Sequence, residues 1–141
     1  MNGCLNNSIK NVLMSSWFWF VASGVWMVFL YVLSSLPQLG EMNTFYGQDK
    51  IEHIIAFGVL GFLLSRGFQP LIHRKKFQVV LLVTFIIAVY GVLDELHQMY
   101  VPGRTASVTD LLADIVGGFL AAFFVYMYQS HRMKLEQFKF W

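Results

Sequence analysis

Three short stretches hold nearly every side chain able to do acid–base, metal or anion chemistry. They are Asp49-Lys50-Ile51-Glu52-His53, Asp94-Glu95-Leu96-His97-Gln98, and the segment Val101 to Asp114 with Arg104, Ser107, Asp110 and Asp114. Histidines and carboxylates brought together could move protons, as His53, Asp94, Glu95, His97 and Asp110 would in an enzyme. The same set offers enough nitrogen and oxygen donors for a divalent ion. Its spacing matches no recognised metal motif, however, so a metal is not favoured. Asp49, Lys50, Gln98, Arg104, Ser107 and Asp114 are the candidate ligand-binding residues. Arg104 has two readings: a counter-ion for the carboxylates, or a fork for an anionic ligand such as phosphate. The single cysteine, Cys4, allows neither an internal disulfide nor a cysteine-based metal site.

Each feature also has a plain structural reading. Asp49 suits the positive end of a helix dipole, and Lys50 and Glu52 suit the lipid headgroup zone. Asp49 and His53 are four residues apart and share a helix face. Asp94 and Glu95 sit at a helix C-terminus, where local rules disfavour acids, and such violations tend to mark functional sites. Pro102-Gly103 fits the centre of a type II turn. Ser107, three residues before Asp110, reads as a helix cap in preference to a nucleophile. Ser107, Asp110, Asp114, Gly117 and Gly118 then follow one helical stripe, with glycines that permit close helix contact. Asp114 lies inside an apolar run, so it must face other helices, where His53, Lys50 or Arg104 could pair with it.

These segments need helices in a membrane to position them. The chain has 141 residues, 57% hydrophobic and 13% charged, too apolar for a soluble domain of one core. Four apolar runs, at about 17–36, 51–68, 77–93 and 111–128, read as transmembrane helices. The first reads as a retained span instead of a cleaved leader. Eight of the ten basic residues (Lys10, Arg66, Arg74, Lys75, Lys76, Arg132, Lys134, Lys139) fall on the side of the N-terminus. Seven of the eight acids, from Glu41 to Asp114, fall on the other. That asymmetry puts both termini in the cytoplasm and the chemistry on the extracytoplasmic face. The tail from His131 to Trp141 reads as an interfacial topology anchor. The expected fold is an all-α integral membrane protein, a four-transmembrane-helix bundle with a polar extracytoplasmic recess, in one domain over 1–141. A net charge of +2 on so apolar a chain gives no case for nucleic acid.

Asp49-Lys50-x-x-His53, then Asp94-Glu95-x-His97-Gln98 with Val101-Pro102-Gly103-Arg104, then Ser107-x-x-Asp110-x-x-x-Asp114-x-x-Gly117, resemble the VanZ-like family in order and spacing. The resemblance covers about residues 49–121. It implies a small multi-pass protein of the cytoplasmic membrane, related to the one associated with teicoplanin resistance. Asp114 departs from the family, whose members often carry Asn there. The expected function is action at the outer face, in resistance to teicoplanin-type glycopeptides or in modification of the cell envelope. The alternative is a membrane-embedded hydrolase or transferase acting on a lipid-linked phosphate. Transport ranks lower, because transporter sites usually lie at the midplane and these residues cluster at one end. A polar network that only pins helix ends is the plainest reading. The partner expected is a membrane lipid or a lipid-linked envelope precursor, with room for an oligomer.

Overall fold

A computed structural model describes residues 15–37 and 47–138, with the side chains at 70–76 and 133–138 outside that description. Four helices run up and down: α1 Ser16–Ser34, α2 Gln48–Gly67, α3 Gln69–Gln98 and α4 Val108–Phe138. No strand occurs among the described residues. Cys4, Lys10, Glu41 and Lys139 lie outside them.

Helices α1, α3 and α4 contain stretches long and apolar enough to cross a membrane. Helix α2 has a membrane-spanning length but carries Asp49, Lys50, Glu52 and Arg66 near its ends. The helices outrun the charge-free stretches at 77–93 and 111–128. At about 1.5 Å per residue α3 measures about 45 Å, against a hydrocarbon core of about 30 Å. The short apolar runs are therefore the middles of longer helices. Arg74, Lys75 and Lys76 accordingly lie within α3, where the sequence suggested a loop. Only Phe68 separates α2 from α3. Pro70 stands in the first turn of α3, where its missing N–H removes no helical bond. The tail expected as a separate anchor is, as far as Phe138, a continuation of α4.

Glycine sets the tightest packing. A Cβ on Gly61 would lie 2.6 Å from the Gly118 carbonyl oxygen, and one on Gly117 would run into the Ile54 carbonyl. Neither neighbour is a flexible side chain, so α2 and α4 approach this closely only because both positions lack a Cβ. Around that seam pack Leu60, Val83 and Ile87, each fully buried, with Val80, Leu64, Ala122 and Val125. Helix α1 joins through Leu30 and two cross-helix bonds. Trp26 Nε1 donates to the Ala56 carbonyl at 2.9 Å, and Tyr90 Oη to the Met27 carbonyl at 2.6 Å. The outer faces, with Phe85, Phe124 and Val25 exposed, are apolar, as contact with lipid tails requires.

Candidate functional site

The motif residues meet at one end of the bundle, where α1 ends, α2 begins, and α3 turns into α4. The turn follows from its residues. Arg104 N–H donates to the Val101 carbonyl at 3.1 Å, and Gly103 has φ +79°, as the third residue of a type II turn demands. Ser107 then caps α4: its Oγ accepts the Asp110 N–H at 3.3 Å. In a closed capping box Asp110 would bond back to the Ser107 N–H. Here Glu95 of α3 takes that N–H, through Oε2 at 2.6 Å. The substitution ties the end of α3 to the start of α4 and releases Asp110.

Asp110 turns to α2 instead. Lys50 Nζ bridges Asp49 at 2.9 Å and Asp110 at 3.0 Å. The hydrogen bond from Lys50 holds the Asp49 carboxyl below the usual carboxylate range. Bonds to Asp49 and then Asp110 push the Lys50 ammonium up. Asp49 and His53 share a face but not a bond. One turn deeper, His53 Nδ1 meets Asp114 Oδ1 at 2.7 Å. Asp114 is fully buried, and its Oδ2 has no partner among the described residues. A Cβ on Gly91 would stand 3.0 Å from that Oδ2, so Gly91 gives the carboxylate its room. On α3, Gln98 Nε2 donates to Asp94 Oδ2 at 2.9 Å. Asp94 Oδ1 and Glu95 Oε1 are buried without a partner among the described residues.

Two residues go elsewhere. Arg104 makes no ion pair among the described residues, contrary to the counter-ion reading. Its Nε and Nη2 donate to the Leu36 and Leu33 carbonyls at 3.1 and 3.2 Å. Carbonyls at a helix end lack intrahelical donors and carry partial negative charge, which is what draws the guanidinium there. His97 also leaves the carboxylates: its Nε2 lies 2.9 Å from Ser35 Oγ, and its ring sits 4.5 Å from that of Tyr31. Ser35 Oγ also donates to the Tyr31 carbonyl at 2.6 Å. Its one proton thus spent, it accepts from His97 Nε2–H. His97 and Arg104 together clamp the end of α1.

A cavity of about 140 Å³ opens between these groups. Leu30, Leu33, Ala56 and Phe57 form its apolar wall, and Glu52, His53, Asp94, Gln98 and Arg104 its polar one. Of the five donors the sequence offered for an ion it did not favour, His97 is clamped to α1, Asp110 to Lys50 and Asp94 to Gln98, and Asp114 was not among the five. The donors that do approach one another are His53, Glu95 and Asp114, within 4.8 Å. The contribution of α1, through Tyr31, Ser35 and the carbonyls of Leu33 and Leu36, had a faint signal at most: a hydroxyl pair ending an apolar run. Glu52, read as a headgroup residue, lines the cavity.

No curated protein and no solved structure matches the chain. The VanZ/LLP1 family model matches residues 4–129, a stretch that takes in every helix contributing to the cavity. By that match, the chain belongs to the VanZ/LLP1 family.

Proposed function

We propose that the chain crosses the cytoplasmic membrane four times, with both ends in the cytoplasm, and binds the polar head of a lipid or lipid-linked envelope component at its outer face. Acting there, it would lower susceptibility to teicoplanin-type glycopeptides or alter the envelope they target. The cavity carries this reading. One wall is apolar and suits a lipid stem, while the other offers hydrogen-bond donors and acceptors to a head group. Two of the five Arg104 N–H donors hold α1, and three remain for an anion. The basic residues on the opposite side supply the orientation.

The pairing of His53 with Asp114 favours a second reading, an enzyme acting on a lipid-linked phosphate. In a neutral imidazole, donating Nδ1–H to Asp114 leaves Nε2 as an acceptor. Because His53 lines the cavity, it could take a proton from water or a hydroxyl bound there.

Purified full-length protein, analysed by native mass spectrometry from gentle detergent, should retain a membrane lipid or lipid-linked precursor. Expression in a susceptible host should raise the inhibitory concentration of teicoplanin. Protein that carries no lipid and leaves susceptibility unchanged would sink the proposal. A C-terminal fusion at Trp141 should be active only with a cytoplasmic reporter.

A further inference from the structure

We infer that His53, Glu95 and Asp114 form a binding site for one borderline divalent ion of the Zn²⁺ class. This goes beyond the lipid-binding reading and does not depend on what fills the cavity. The donors come from three helices, α2, α3 and α4, and lie within 4.8 Å of one another. Bonds of about 2.1 Å to a tetrahedral ion set its donors about 3.4 Å apart, so donors as far apart as 4.8 Å close by about 1.4 Å, shared between two side chains.

The second observation is independent of that proximity. Asp114 is 0% exposed and Glu95 is 6% exposed, yet Asp114 Oδ2 and Glu95 Oε1 have no hydrogen-bond partner among the described residues. Asp94, 6% exposed beside them, leaves its Oδ1 without one as well. Buried carboxylate oxygens almost always find a partner, and each exception calls for an occupant or a proton. The cationic side chains nearby do not supply it. Lys50 is held by Asp49 and Asp110, and Arg104 by the end of α1. His53 serves only Asp114 Oδ1. An ion would serve His53, Glu95 and Asp114 at once, with Asp94 outside the group.

The hydrogen bond between His53 Nδ1 and Asp114 Oδ1 shows where the ion enters. The two atoms lie 2.7 Å apart and open slightly as the ion takes the place of the shared proton, which leaves to solvent. The ion also reaches Asp114 Oδ2 and gives it a partner. One imidazole with two carboxylates, and no thiolate, fits Zn²⁺ better than Mg²⁺ or Ca²⁺, which favour all-oxygen shells. Three protein ligands leave a coordination position free, as in metal centres that bind a further ligand.

The test uses the full chain, purified without a polyhistidine tag and stripped with chelator in detergent. Isothermal titration with Zn²⁺ should show one ion per chain and a raised Tm, with at least tenfold weaker binding of Mg²⁺. Glu95→Gln and Asp114→Asn, checked for unchanged helical content, should each weaken Zn²⁺ binding at least tenfold. His131→Ala, an exposed histidine far along α4, should not. X-ray absorption at the zinc edge of the unmodified chain should report imidazole and oxygen ligands. No uptake at one ion per chain, uptake undiminished in folded variants, or a sulfur ligand from Cys4 would each overturn the assignment.

Discussion

The two ends of the bundle both bury polar atoms without partners, but of different kinds. At the end where α2 meets α3 they are neutral: Ser65 Oγ, the Gln129 amide and Ser130 Oγ. At the motif end those among the described residues are all carboxylate oxygens, of Asp94, Glu95 and Asp114. A neutral orphan costs about 1–3 kcal/mol, whereas an uncompensated buried charge costs several. Between the ends, apolar side chains and glycine hold the helices without any such penalty. The apolar middle is thus built for stability, and the motif end retains a cost that only an occupant, a proton or an ion can relieve.

The largest expected effect breaks the middle. Gly61→Val drives a branched side chain into the Gly118 carbonyl, and backbone cannot swing aside. Overpacking usually costs about 1–3 kcal/mol and occasionally more, and a clash with backbone belongs at the top of that range, so size-exclusion chromatography in detergent should show little folded monomeric protein. If Gly61→Val runs and melts like the unmodified chain, α2 and α4 are not packed as described.

Next comes the buried pair. His53→Ala leaves Asp114 buried and uncompensated, at about 3–5 kcal/mol. Adding Asp114→Asn should restore a large part of the lost thermal stability, because the orphaned charge is gone. A double variant no better than His53→Ala alone would show that the pair contributes nothing as a pair.

A smaller effect belongs to the link between α3 and α4. Glu95→Ala orphans the Ser107 N–H and should cost about 1–3 kcal/mol. Glu95→Gln keeps an acceptor oxygen and should recover most of that stability even where ion binding is lost. Ser107→Ala, which removes only the cap to Asp110, should cost about 1 kcal/mol. Thermal melts of the three variants side by side would rank them, and Ser107→Ala as the most damaging would reverse the reading of Glu95.

The smallest effect lies at the surface. Lys50 holds the Asp49 carboxyl below its ordinary range, so the pair adds stability above the unfolded carboxylate's pKa, which fades as pH falls through the lower, folded value. Asp49 is 39% exposed and screened by solvent, so Asp49→Asn should cost well under about 1 kcal/mol. A melt at neutral pH measures it, and a larger loss would place Asp49 within the buried network.

The contrast between Arg104 and Asp114 shows how far the sequence reaches. A carboxylate inside an apolar run must face protein whatever its neighbours, so the burial of Asp114 and its need for His53, Lys50 or Arg104 follow from the cost of charge in lipid. The helical character, the turn at Pro102-Gly103, the cap at Ser107 and the glycine stripe are equally local, fixed by residues within a few positions of one another. Which partner Asp114 takes is a matter of depth and of helix rotation, and these depend on how α2 and α4 close on their glycines. Arg104 illustrates the other side. Its charge pointed to carboxylates or an anion, but backbone carbonyls at the end of α1 stand nearer, and a carbonyl leaves no mark in the sequence. His97 and Asp110 changed partners for a similar reason: Ser35 and Lys50 are distant in the chain and became neighbours only through packing. Sequence by itself determined which groups are present and that they must be buried or paired. Tertiary structure alone decided which pairs form, because pairing depends on distances between helices that no local spacing encodes.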